Sequence, residues 1–75
     1  MKKTIAVIGC GRIANMAHFP ALAKMDNVRV KYACDIIKEK AEKIKAEYPF
    51  VENVITDYKE ALADSEVDAV FVLTP

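Results

Sequence analysis

The chain has 75 residues, in which 11 lysines and arginines are balanced by 11 aspartates and glutamates, so its formal net charge is zero. This length allows at most one small domain, which buries only about 60% of the surface that its unfolded chain exposes. The balanced charge leaves no basic field for nucleic acid, and no apolar run approaches the roughly 18 residues of a membrane helix.

The first predicted element is a strand from Thr4 to Ile8. Its residues are apolar or β-branched without alternation, which is typical of a central parallel strand buried on both faces. Two lysines precede it, but the apolar run is shorter than the roughly 7 to 15 residues of a signal peptide. We therefore expect a cytoplasmic protein. Its two cysteines, Cys10 and Cys34, form no metal or disulfide pattern and are expected to be reduced there.

The segment 9–14, Gly-Cys-Gly-Arg-Ile-Ala, follows this strand and has the G-x-G-x-x-G/A spacing of a dinucleotide-binding turn. Gly9 lets the chain leave the strand through a tight turn, and Gly11 lets the backbone approach a pyrophosphate. Ala14 allows the next helix to lie close to the strand, with the phosphates at its N-terminus. The alternative is a glycine turn of another α/β protein, such as a methyltransferase. Those usually carry an acidic residue just before the loop, where this chain has Ile8.

A helix is predicted after the glycine turn. Its sheet-facing stripe would consist of residues four apart, namely Ile13, Ala17, Ala21 and Met25. Pro20 removes a backbone donor, which predicts a kink or a restart near Phe19. The pair Asp26-Asn27 predicts the turn that ends this segment, and Asn27 is a residue able to take the left-handed conformation.

The second predicted strand runs from Val28 to Cys34, with partial alternation of apolar and polar residues. Asp35 closes it, about 20 residues beyond the glycine turn. A carboxylate at this place can accept hydrogen bonds from the adenosine ribose of NAD, and it would repel the additional phosphate of NADP. We therefore expect NAD rather than NADP. The alternative role of Asp35 is to cap the following helix.

The next helix is predicted over Ile37 to Tyr48 and is stopped by Pro49. Its apolar stripe consists of Ile37, Ala41, Ile44 and Tyr48. Lysines and glutamates fill the other positions, as in a helix with one buried face.

Three shorter elements complete the pattern. Val54-Ile55 is read as a brief third strand, and Asp57 is predicted to cap a short helix with Glu60 three residues later. That helix would finish at Leu62 and Ala63. Residues 69–73 form another continuous apolar strand.

The resulting order βαβαβαβ predicts an α/β fold with a parallel sheet and right-handed crossovers. In a dinucleotide-binding half of Rossmann type the strand order is 3-2-1-4. Residues 1–75 would then be the N-terminal portion of one dinucleotide-binding domain. No metal-ligand cluster or catalytic combination is visible, and the single histidine, His18, is interpreted as a scaffold residue.

Four segments of the chain form a recognisable combination: residues 6–14, 18–22, 33–35 and 67–75, which contain the glycine turn, the H-x-P sequence at 18–20 and a terminal Thr-Pro. Together they resemble the N-terminal part of the Gfo/Idh/MocA oxidoreductases. This family includes glucose-fructose oxidoreductase, inositol 2-dehydrogenase and many sugar dehydrogenases.

The resemblance implies a hydride transfer between a nicotinamide cofactor and a sugar or polyol. It implies that Asp35 meets the ribose and that His18 and Pro20 are mainly architectural. It places two further groups around the cofactor: Gly9, Gly11, Arg12 and Ile13 at the pyrophosphate, and Thr74 and Pro75 beside the nicotinamide.

Family members also carry a Glu-Lys-Pro motif, whose lysine acts in proton transfer, and a C-terminal α/β domain that forms the substrate wall. Neither is present in these 75 residues, which resemble about the first quarter of a family member. We therefore expect no catalytic residue here and no turnover by this chain alone. A second hypothesis is a folding or association unit, which forms a homo-oligomer by pairing residues 69–73 with their copy.

Overall fold

The computed structural model describes residues 2–9 and 19–72. In these ranges the elements are β1 (Lys3–Ile8), α1 (Phe19–Ala23), β2 (Val28–Cys34), α2 (Lys38–Glu47), β3 (Asn53–Ile55), α3 (Tyr58–Leu62) and β4 (Ala69–Val72). The strands form one sheet in the order β3-β2-β1-β4, and every neighbouring pair is parallel. The predicted α/β fold and its 3-2-1-4 order are confirmed. Of the helices in these ranges, none has the length and apolar character needed to cross a membrane.

The central position of β1 explains its continuous apolar sequence. It pairs with β2 on one side and with β4 on the other, and Thr4 to Val7 are all buried. A strand of this kind has helices or loops over both faces, so neither face favours polar side chains. The side chain of Asp68 also accepts a hydrogen bond from the backbone N–H of Thr4 at 2.9 Å, which fixes the approach to β4.

The apolar core lies mainly between the sheet and the helices α1 and α2. Its buried members are Ile5, Val7, Phe19, Leu22, Val30, Ala33, Ala41, Ile44 and Val51. The ring of Phe19 stacks on that of Tyr48 with 5.5 Å between centroids, which joins α1 to the end of α2. This packing holds the two helices on the sheet.

The sheet-facing stripe predicted for α1 was wrong at the two of its residues that the structure describes. Ala21 and Met25 are exposed, whereas Phe19 and Leu22, three residues apart, are buried. The larger side chains take the core position because they bury more apolar area than alanine. The described part of α1 runs from Phe19 to Ala23 and includes Pro20. Ile13 and Ala17 lie outside the described residues. The part of the predicted helix before Phe19 does so too, so the predicted kink or restart stays a prediction.

The turn at Asp26-Asn27 does not use the left-handed conformation that an asparagine is able to take. No non-glycine residue in the described ranges has a positive φ. The carbonyl oxygen of Asn27 instead accepts a hydrogen bond from the N–H of Lys3 at 2.9 Å. This bond carries the chain directly into β2 beside the start of β1, so the turn needs no left-handed residue.

The later elements agree closely with the predictions. Helix α2 is one residue shorter than predicted at each end, and Ile37 is largely exposed rather than part of the buried stripe. The side chain of Asp57 caps α3 by accepting a hydrogen bond from the N–H of Lys59 at 3.0 Å. Strand β3 begins at Asn53, one residue earlier than predicted. Leu73 lies outside the described residues.

Strand β2 contains an irregularity that the sequence pattern did not predict. Ile5 pairs with Val30 but Ala6 pairs with Tyr32, so Lys31 is an additional residue in β2. An extra residue of this kind is a β-bulge, which bends the strand and redirects side chains.

The bulge brings two consecutive side chains of β2 to one carboxylate. The Lys31 Nζ lies 2.5 Å from Asp64 Oδ2, and the hydroxyl of Tyr32 donates to the same oxygen at 2.6 Å. Lys31 also pairs with Glu66. Lys31 and Tyr32 together hold the pKa of Asp64 down at about 2, and the two carboxylates raise the pKa of Lys31. These contacts attach the loop between α3 and β4 to the sheet.

Candidate dinucleotide-binding site

Gly9 is the first residue after β1, and its backbone has the conformation that a glycine turn requires. Its φ is 96°, which strongly favours glycine because a side chain there would clash with the backbone. The residue is buried, and its N–H donates a hydrogen bond to the carbonyl oxygen of Cys34 at 2.7 Å. Gly9 therefore ends the central strand in a conformation that favours glycine, at a place where it presents no Cβ.

Asp35 lies at the corresponding position after β2. Its N–H donates to the carbonyl oxygen of Ile55 at 3.2 Å, and its Oδ1 accepts from the N–H of Ile37 at 2.9 Å. The second bond closes a turn ahead of α2, whose N-cap is Ile37 and has no side-chain capping bond, so the prediction that Asp35 caps this helix was wrong. A carboxylate has about four acceptor positions, so the bond to Ile37 and a bond from a ribose hydroxyl are compatible in one side chain.

The sheet brings the two residues together. Ile8 pairs with Cys34 across the two strands, so the residues that follow them leave the same edge of the sheet. A cavity of about 110 Å³ lies at this carboxyl edge and is lined by Ile8, Gly9, Cys34, Asp35, Ile36, Thr56 and Tyr58. In open parallel sheets, ligands bind outside the carboxyl ends of the strands. The cavity is therefore the candidate site within the described residues.

Three lining residues, Ile36, Thr56 and Tyr58, were not identified from the sequence. No motif contains them, but the topology offers a signal. Once the order 3-2-1-4 is predicted, the residues that follow β2 and β3 must emerge beside Gly9. Combining the strand order with the strand ends would have placed all three near the glycine turn.

The electrostatic environment of the cavity is negative. Burial raises the pKa of the Cys34 thiol, and the carboxylates of Asp35, Asp57 and Glu60 raise it further. Among the described residues that line the cavity there is no lysine or arginine.

The remaining predicted site residues cannot be compared with the structure. Gly11, Arg12, Ile13, Thr74 and Pro75 lie outside residues 2–9 and 19–72. The same applies to Cys10 and His18. Their predicted roles at the pyrophosphate, the nicotinamide and the scaffold stay predictions.

A search against protein families and known proteins gives a consistent result. The family model described as an oxidoreductase family with an NAD-binding Rossmann fold matches residues 3–75. An uncharacterized oxidoreductase from Bacillus subtilis is 31% identical over 71 residues, which cover 92% of this chain and 20% of that protein.

Two solved structures illustrate the likeness in three dimensions. A 3-ketoreductase from Actinomadura kijaniata in complex with TDP-benzene and NADP is 28% identical, with a TM-score of 0.86, over all of this chain and 23% of that one. A scyllo-inositol dehydrogenase from Lactobacillus casei with bound NAD(H) and scyllo-inositol is 25% identical, with a TM-score of 0.83, over all of this chain and 22% of that one. The chain thus spans about a fifth of each relative's length, and it belongs to the Gfo/Idh/MocA oxidoreductase family, within its NAD-binding Rossmann domain.

Proposed function

We propose that the chain is the NAD(P)-binding portion of an oxidoreductase that transfers hydride between a nicotinamide cofactor and a sugar or polyol. The observation that carries the proposal is the positive φ of Gly9 at the end of the central strand, beside Asp35 at the end of β2. The substrate class is supported by the similarity to scyllo-inositol dehydrogenase.

In this proposal the chain's own residues bind and orient the dinucleotide. Gly9 leaves room for close approach of the pyrophosphate, and Asp35 accepts hydrogen bonds from the ribose hydroxyls. Further contacts are proposed for residues outside the described ranges: Gly11, Arg12 and Ile13 at the pyrophosphate, and Thr74 and Pro75 beside the nicotinamide. The bound cofactor supplies the hydride chemistry, while the protein supplies position and electrostatics.

The cofactor preference proposed is NAD over NADP. A phosphate on the ribose 2′-oxygen would lie next to the Asp35 carboxylate. The carboxylates of Asp57 and Glu60 contribute to the same negative environment around Cys34. Since no described lining residue is a cation, these residues offer the phosphate no compensating charge.

These 75 residues contain no Glu-Lys-Pro sequence. We therefore expect the chain by itself to bind the cofactor without turning over a sugar or polyol. Reduction of NAD by the purified chain with a sugar or polyol would contradict this.

A thermal-shift assay tests the binding proposal. The melting temperature is measured with NAD, with NADP and without ligand, so that the two cofactors serve as a pair that differs by one phosphate. A ligand that binds only the folded chain stabilises it by about 2.7 kcal/mol at 100 times its dissociation constant. We expect NAD to raise the melting temperature more than NADP does. An unchanged melting temperature with either cofactor, at millimolar concentration, would contradict cofactor binding.

The second candidate function is association through β4. Along the described residues this strand pairs only with β1, and Val72 at its end is 64% exposed. An apolar strand with an unpaired edge can pair with another chain. Sedimentation velocity at micromolar concentration tests this: a dimer that Val72→Lys dissociates supports it, with Met25→Lys as the exposed control away from β4. A monomer at the same concentration contradicts it.

A further inference from the structure

We propose that the amino edge of the sheet carries a second binding site, which takes a free aromatic amino acid. A cavity of about 380 Å³ opens at this edge, within the range of roughly 300 to 1,000 Å³ that is typical of ligand pockets. Its walls come from the end of α1, the start of β2 and the segment between α2 and β3. It shares no lining residue with the cavity at Gly9 and Asp35. The inference is therefore independent of the proposed NAD binding.

The floor of this cavity is part of the apolar core, whereas its apolar walls are exposed. Leu22 and Val30 in the floor are buried members of the core. In the walls, Met25 is 46% exposed and Phe50 is 37% exposed. A single exposed apolar residue needs no explanation, but apolar surface collected in one concavity is typical of a binding site. A group that enters here would remove both side chains from water.

The ring of Phe50 is the outermost of a series of aromatic contacts. The buried ring of Phe19 stacks on Tyr48, and the centroid of Tyr48 lies 5.8 Å from that of Phe50. The series thus runs from the core to the cavity and supports the Phe50 ring. A ligand ring would extend it by an offset or edge-to-face contact, and the thioether of Met25 also packs favourably against a ring. These walls therefore favour an aromatic group.

Charged side chains of both signs also line the cavity. Arg29 is paired with Glu52, because its Nε and Nη2 donate to the two carboxylate oxygens at 2.5 and 2.8 Å. Lys2 and Asp26 have no ion pair among the described residues. The two lie close in the fold, since the residues that follow them are joined by a backbone hydrogen bond of 2.9 Å. One cation and one anion thus remain for a ligand.

A free α-amino acid has the matching pair of charges on one carbon atom. Its carboxylate would meet Lys2 and its ammonium group would meet Asp26, and its zero net charge suits a lining with two charges of each sign. Exposed charge pairs contribute little to affinity, so we expect the ring to supply more of it and the charges to select the zwitterion. The same residue inside a peptide has neither charge. The free amino acid is therefore favoured over a peptide.

Titration calorimetry of the chain with L-phenylalanine tests the proposal. We expect saturable binding at millimolar concentration. L-alanine, which keeps both charges without the ring, should bind about fivefold more weakly, the scale of one lost aromatic contact. N-acetyl-phenylalanine amide, which keeps the ring without the charges, should bind about threefold more weakly, the scale of two exposed charge pairs.

Variants of the walls locate the site. Phe50→Ala should weaken the binding of L-phenylalanine about fivefold, whereas Phe50→Tyr, which keeps the ring, should stay within about twofold of the unmodified chain. Met25→Ala removes the more exposed wall and should weaken binding about twofold. Leu62→Ala truncates an exposed apolar residue outside the cavity and should leave the affinity unchanged. Circular dichroism checks that each variant folds, and Met25→Ala serves as the test if Phe50→Ala does not.

Four results would overturn the proposal. The first is no saturation with L-phenylalanine up to its solubility limit. The second is equal affinity for L-phenylalanine and L-alanine, which would remove the aromatic contact. The third is tighter binding of N-acetyl-phenylalanine amide than of L-phenylalanine, which would indicate an aromatic residue of a protein partner instead. The fourth is an unchanged affinity for L-phenylalanine in folded variants of Phe50 and Met25, which would place its binding elsewhere.

Discussion

Two isoleucines of this chain lie in opposite environments. Ile44, on α2, is 1% exposed and belongs to the apolar core, whereas Ile36, in the turn after β2, is 88% exposed and lines the cavity at the carboxyl edge of the sheet. The core is held by burial of apolar area, which contributes about 25 cal/mol per Å². The edge is held by backbone hydrogen bonds at Gly9, Asp35 and Ile37. In this account, stability and the proposed cofactor binding depend on different parts of one small molecule.

The largest expected effect comes from truncating the two isoleucines. Ile44→Ala should lower the free energy of unfolding by about 2 to 5 kcal/mol, because it opens a cavity in the core. Its matched partner, Ile36→Ala, should change that free energy by no more than about 0.5 kcal/mol. Urea denaturation measures both. An equal loss of unfolding free energy in the two variants would contradict the distinction between a buried core at Ile44 and an exposed edge at Ile36.

Removal of the carboxylate at the edge should affect binding rather than folding. Asp35→Ser is expected to weaken NAD binding by about 1.5 to 3 kcal/mol, the scale of a hydrogen bond to a charged group. Serine can still accept the bond from Ile37, so the turn into α2 should survive. Titration calorimetry measures the change, with Asp26→Ser as the control, since Asp26 is an exposed carboxylate before the start of β2, at the opposite end of that strand. Unchanged NAD affinity in Asp35→Ser would refute the ribose role.

Removal of the cap of α3 should have a smaller effect, on the stability of the fold rather than on NAD binding. Asp57→Ala should destabilise the chain by about 1 kcal/mol, because the Lys59 N–H loses its acceptor. Asp57→Asn, which keeps an acceptor, should retain most of the stability. Thermal melting followed by circular dichroism distinguishes them. Equal melting temperatures for Asp57→Ala and the unmodified chain would contradict a stabilising cap.

Acid should remove the stabilisation that the Asp64 carboxylate, in the loop before β4, contributes to the folded chain. The pKa of Asp64 is about 2 in the folded chain and 3.8 ordinarily. A depressed folded pKa contributes stability above the ordinary value, and this stability is lost as the pH falls from about 4 to 2. Asp64→Asn should therefore flatten the pH dependence of the melting temperature in this interval. A dependence as steep as that of the unmodified chain would contradict the pairing with Lys31.

The sequence predicted the elements that local patterns determine. Residues 28–34 emerged with the predicted bounds, and Asp57 caps α3 as expected. The buried face of α1 was misjudged because spacing alone ranks Ala21 above Leu22, whereas burial follows apolar area.

The Lys31–Asp64 pair was missed for a different reason. Its residues are 33 positions apart, and Lys31 is the additional residue at the register shift of β2. Ile36 and Tyr58 were missed likewise, since the cavity is formed by strand order and not by a motif. Contacts between distant segments depend on tertiary geometry, which local periodicity does not encode.

Amide chemical shifts of the isotope-labelled chain during titration with NAD test the central claim most directly. The account predicts that the largest changes occur at Gly9, Asp35 and Ile36, with little change at the core residue Ile44. Changes confined to the opposite end of the sheet, around Met25 and its neighbours, or no changes at millimolar NAD, would contradict it.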